Sequence, residues 1–223
     1  MAFGYVSAFI VALWLPCAYQ HYAYYEQVSL LQICLSLFLC INLLICIWEI
    51  ILFFYIETIR DNYQGKLKKL EPGDIGKIFL FQQVSLSEVI KPRYWTQVWV
   101  TYSLMDEGYS NTKSFGWAID IGNGFSTLVP TVVFLLGMTL QQSLISPKWL
   151  GIVGLQSFYQ EFYGTVVYFT QYVVNKRWEK HQSTVIQIIL LVIVPNIIWI
   201  VFPVIGIYAS IQLILQESFD VFV

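Results

Sequence analysis

The sequence predicts an all-α integral membrane protein, a five-transmembrane-helix bundle with an internal lipid-sized cavity. Three observations lead there. The 223 residues are 57% hydrophobic and only 12% charged, where soluble domains carry about a quarter charged residues. Mean hydropathy is +0.64. Five apolar segments, about 3–19, 28–57, 115–141, 149–174 and 185–215, approach or exceed the ~20 helical residues that cross a hydrocarbon core. The chain reads as one membrane domain over 1–223, with no room for a separate soluble unit.

The first segment has no basic stretch before it and contains Trp14 and Pro16, so it reads as a retained helix and not as a signal peptide. In the second, Asn42, Cys46 and Glu49 are spaced four and three apart and share one helix face, with Glu57 two turns further on. The stretch 58–113 is a polar loop. Short interfacial helices are expected within it near 77–90 and 94–105, with Tyr94, Trp95, Trp99 and Tyr102 at headgroup level. The third segment aligns Asp120, Asn123 and Thr127. The fourth aligns Gln156, Gln160 and Tyr163, with Glu161 one residue off that line. The fifth carries Asn196 and Trp199 before Pro203. Pro130, Pro195 and Pro203 lie inside apolar runs, where they kink helices.

The basic residues test the count of spans. Arg60, Lys66, Lys68, Lys69, Lys77, Lys91, Arg93 and Lys113 fall between segments two and three, and Lys176, Arg177 and Lys180 between four and five. Five spans put eleven of the twelve Lys and Arg on one side, with Lys148 alone opposite. The positive-inside tendency places that side and the N-terminus in the cytoplasm.

Several chemistries are excluded at this level. No basic stripe suits nucleic acid, and no glycine-rich phosphate loop or Ser-His-Asp pattern is present. His21 and His181 both read as loop residues, which leaves no His-based metal site in the membrane. Cys17, Cys34, Cys40 and Cys46 lie in apolar runs without a C-x-x-C pair and read as core-filling residues. No cofactor is expected.

Four segments thus present polar groups on one side, and packing turns those sides inward around a shared cavity. Gln156, Gln160 and Asn123 could equally be helix–helix hydrogen bonders. Glu57 either reaches the interface or serves the cavity, and Glu161 is open in the same way. By composition alone Asp106 and Glu107 are solvated or capping residues. Glu49 and Asp120 stand apart. A carboxylate in an apolar span is costly and faces a cavity or a partner. No Lys or Arg shares these spans, so one or both is expected to hold a proton and to be able to donate it. Trp117, one turn from Asp120, could also face the cavity.

Five features resemble the emopamil-binding protein (EXPERA) family, which includes sterol Δ8–Δ7 isomerases and the sigma-2 receptor. They are Trp48-Glu49 followed by Glu57; Trp99-x-x-Tyr102-x-x-x-Asp106-x-x-Tyr109; Asp120 ten residues before Pro130; Tyr163-Gly164 followed by Tyr168-Phe169; and Asn196-x-x-Trp199-x-x-x-Pro203. The resemblance covers about residues 40–215. It implies an endoplasmic-reticulum protein and a sterol or terpenoid ligand drawn from membrane lipid, and it leaves a homodimer open. It also implies that Glu49 and Asp120 are the catalytic acid and base. Asn42, Glu57, Tyr102, Asp106, Trp117, Asn123, Tyr163, Asn196 and Trp199 would bind or brace the substrate. The sterol isomerases carry a histidine one turn before the acid of the second span, and here that position is Ile45. A related isomerisation or cyclisation through a carbocation is therefore expected; the alternative is a non-catalytic lipid-binding protein resembling the sigma-2 receptor.

Overall fold

The computed structural model describes residues 1–69, 79–140, 144–177 and 188–223, with the backbone alone at 190 and 191. His181, Lys77, Lys180 and the first residues of the fifth apolar segment lie outside the described residues. The described chain is helical throughout. Its helices are α1 (Ala2–Tyr25), α2 (Leu30–Phe54), α3 (Ile56–Leu67), α4 (Leu86–Val89), α5 (Thr96–Met105), α6 (Phe115–Leu140), α7 (Pro147–Val174) and α8 (Val194–Gln216). A π-helical turn, Ile189–Ile193, leads into α8. Among the described residues four helices, α1, α2, α6 and α8, are long and apolar enough to cross a membrane, and the chain is an integral membrane protein. The α7 helix is as long, but its polar residues lower its hydropathy.

Local chemistry sets the helix ends. Glu26 adopts a left-handed conformation (φ 55°) that closes α1, and Ser29 then caps α2 by accepting from the Gln32 amide at 3.4 Å. A connection this short makes α1 and α2 antiparallel neighbours. The second apolar segment does not run straight to 57. At Tyr55 the backbone leaves helical geometry (φ −118°, ψ 22°), and α3 starts on a new axis. The expected polar loop therefore contains a twelve-residue helix.

Within the membrane, helices gain little from expelling water and associate by close packing. The small residues of α7 and α8 serve that end. A Cβ added to Gly206 would lie 2.5 Å from the Phe158 ring, and one added to Gly154 would lie 2.2 Å from Phe134. One buried cluster, centred on Phe38, Phe134, Phe158 and Leu213, fills the half of the bundle near the α1–α2 turn. A second, rich in Trp and Tyr, fills the half near α3 and α5.

The basic connections meet at this second end. Arg177, just beyond α7, forms an ion pair with Asp106, just beyond α5, and Arg60 of α3 donates to the Ser110 carbonyl. Lys148 pairs with Glu217 at the far end. Trp99 corrects the expectation of a headgroup belt. It is 5% exposed, because α5 packs inward against α2 and α3.

Candidate functional site

α2, α5, α6 and α8 converge on a cavity of about 110 Å³. Its lining includes Glu49 from α2, Asp120 and Asn123 from α6, and Asn196 and Trp199 from α8, with an aromatic wall of Trp48, Trp99, Tyr102 and Tyr109. This volume is below the roughly 300–1,000 Å³ usual for ligand pockets. The expected lipid-sized cavity is therefore not reached, because the aromatic rings occupy the space.

Each wall residue is placed by a local device. Trp99 and Tyr102 sit one turn apart on α5, and the Trp99 indole donates to the Trp48 carbonyl at 2.6 Å, tying α5 to α2. Asp106 ends α5 in an extended conformation, and its Oδ1 accepts from the Gly108 amide at 2.8 Å. That turn folds Tyr109 back against Trp99 and Tyr102, with centroids 5.5 and 5.8 Å away. The second Asp106 oxygen accepts from the Tyr168 hydroxyl at 3.3 Å and pairs with Arg177. Asp106 does not touch the cavity. It is a brace: its oxygens accept from the Gly108 amide, the Tyr168 hydroxyl and Arg177, which ties the turn to the end of α7.

The two candidate carboxyls reach the cavity from neighbouring helices, α2 and α6. α2 and α6 cross at Gly124, where an added Cβ would lie 2.7 Å from that of Glu49. Asp120 lies one turn earlier on α6. Among the described residues neither carboxyl has a hydrogen-bond or ion-pair partner. Both sit five residues from a helix end, Glu49 before Phe54 and Asp120 after Phe115. At 1.5 Å per residue that is about 7.5 Å in from the basic-loop end of the bundle. Both carboxyls therefore lie off-centre in their helices, towards the basic-loop end.

The other expected site residues divide. Asn123 lines the cavity and accepts from the Gln160 amide at 3.1 Å. Asn196 lines it while its amide donates to the Val192 carbonyl at 2.6 Å. Asn42 is buried behind the wall, bonded to Glu161, Thr131 and Trp199. Three further expected residues do not line this cavity. Glu57 is on α3, outside the cavity, with its side chain 75% exposed and paired to Arg60 at 2.8 Å; the break at Tyr55 turns it away. Tyr163 is exposed and stacks on Tyr159. Trp117 packs against the aromatic cluster without lining the cavity. Gln156 is exposed and Gln160 half-buried, because the buried face of α7 runs through Gly154, Ser157, Phe158, Glu161, Thr165 and Tyr168.

Sequence reading passed over Trp48, Trp99 and Thr165 as cavity residues and left Glu161 open. Spacing could have found Glu161 and Thr165, which lie four apart on a stripe that includes Gly154 and Tyr168. Among the described residues no cluster of three metal-ligating side chains exists. In comparisons with family models, curated proteins and solved structures, nothing matched the chain.

Proposed function

We propose that this protein is a membrane isomerase or cyclase acting on a sterol or terpenoid lipid. One carboxyl of the cavity donates a proton to a carbon–carbon double bond or epoxide, leaving a carbocation. The other carboxylate takes a different proton from the carbocation, whose C–H bonding pair becomes the new double bond, so one proton enters and one leaves. The observation that carries this reading is the placement of Glu49 and Asp120 on one small cavity, with no cation among the described residues to neutralise either and with indole and phenol faces around them. Such faces stabilise a cation and keep out the water that would quench it. The reacting part of the lipid occupies the cavity, and the remainder lies towards the bilayer. The resemblance to the EXPERA family supports the same chemistry and an endoplasmic-reticulum location.

The test is turnover in heavy water. Purified protein is given Δ8-sterols, triterpenoid epoxides and prenylated lipids, and products are read by mass spectrometry. The expected product carries one solvent-derived deuteron and is absent with Asp120→Asn or Glu49→Gln. Full turnover in both amide variants overturns the reading.

One observation favours a second reading. Ile45 lines the cavity at the position where the sterol isomerases carry histidine, which suits a lipid-binding protein without chemistry. Tight binding of a panel lipid, recovered unchanged, would select it.

A further inference from the structure

The carboxyl nearest the middle of a long helix is neither Glu49 nor Asp120. It is Glu161, at the centre of α7, 1% exposed. An ionisable side chain at that depth is expensive and calls for a stated partner. Its Oε1 accepts from Asn42 Nδ2 at 2.8 Å. Asn42 sits at the centre of α2, and the same amide nitrogen donates to Thr131 Oγ1 at 3.0 Å. The Asn42 carbonyl oxygen accepts from the Trp199 indole at 3.3 Å. Trp199 is the only member of this chain that lines the cavity.

The direction of these bonds is what matters. A side-chain amide can present either its oxygen or its nitrogen, and only its neighbours decide which. An indole N–H is a donor only, so Trp199 demands the Asn42 oxygen. A hydroxyl such as Thr131 both donates and accepts, so it does not fix the amide. Glu161 supplies the acceptor that holds the Asn42 nitrogen on the far side and leaves the oxygen for Trp199.

Helix–helix adhesion alone does not account for the arrangement. Glu161 Oε2 is buried without a hydrogen-bond partner among the described residues, and a half-satisfied polar network is a poor stabiliser. We propose that Glu161 is a positioning residue: through Asn42 it fixes the Trp199 indole at the cavity wall, and so sets where a substrate's cationic carbon is held. The inference rests on the carbocation reading for its consequence, but its geometry can be read without turnover.

The test uses the full chain in nanodiscs, labelled with 5-fluorotryptophan, with the Trp199 fluorine resonance assigned from Trp199→Phe. Glu161→Leu, which removes the acceptor, moves or splits that resonance. Glu161→Gln, which keeps an acceptor oxygen but adds a donor, moves it less than the Leu variant does. If Glu161→Leu is not recovered folded, Glu161→Ala takes its place. On the substrate found in heavy water, the Leu or Ala variant loses about 10–100-fold in kcat with KM little changed and gives a wider product mixture, the size expected of a displaced reacting geometry. An unmoved Trp199 resonance in the Leu or Ala variant overturns the positioning role. Wild-type protein that turns over nothing while the resonance responds overturns the enzymatic reading and leaves the positioning geometry standing.

Discussion

Gly124 and Glu49 meet where α6 crosses α2, with no room for a side chain between them. A methyl group at 124 would lie 2.7 Å from Glu49 Cβ and 3.2 Å from both the Cys46 carbonyl oxygen and the Ile50 nitrogen. Two of those atoms are backbone, so relief requires the helices to part. Gly124→Ala is expected to cost about 1–3 kcal/mol and to lower turnover by separating Asp120 from Glu49. Gly122, two residues away, has nothing within 4 Å of an added Cβ. Gly122→Ala should leave both properties unchanged or slightly improved. Thermal unfolding and turnover of the two variants side by side check the contrast.

Asp106 and Arg177 join the two basic connections as a buried ion pair, with side chains 1% and 12% exposed. Asp106→Asn leaves Arg177 without its counter-charge and is expected to destabilise by about 3–5 kcal/mol. Pairing it with Arg177→Gln should recover part of that loss, because no lone charge remains buried. A double-mutant cycle on thermal unfolding reads the coupling.

Glu57 makes the opposite case. Its pair with Arg60 is exposed, and exposed pairs contribute about 0–1 kcal/mol. Glu57→Gln should change stability by less than about 0.5 kcal/mol and leave turnover intact. A large loss of turnover would return Glu57 to the site.

Burial pushes the Tyr102 phenol up from 10.0 to about 12, and pushes Tyr109 up as well. A raised folded value means that the neutral form is favoured by folding. The stability it contributes is complete below about pH 10 and is lost as pH rises from 10 towards 12. Burial lowers Lys66, which by the same linkage gains stability as pH approaches its unfolded value. The tyrosine effect is therefore read as a difference: thermal unfolding of wild type should decline more steeply than that of Tyr102→Phe between about pH 10 and 12.

Spacing within a helix was legible because 100° per residue fixes relative direction. Asn42, Cys46 and Glu49 do share a face, and Cys46 meets Thr127 at 3.3 Å as those stripes imply. Which stripe faces inward was not legible wherever two candidates lay side by side. On α7 the line through Gln160 and Tyr163 is one residue from the line through Glu161 and Thr165. Polarity pointed to the first; the close approach of Gly154 to Phe134 and Ser210 selected the second. Glu57 was misplaced because nothing in the apolar run announces the break at Tyr55.

The sequence by itself determined the membrane character, the long apolar helices and the presence of carboxyls where lipid would not accept them, since composition and periodicity are properties of the chain alone. The tertiary structure decided which carboxyls share a cavity, that Asp106 braces a turn, and that Glu161 lies mid-bundle behind Asn42. Those depend on the rotation and crossing of whole helices, which are set by how small and large side chains interlock between segments distant in sequence.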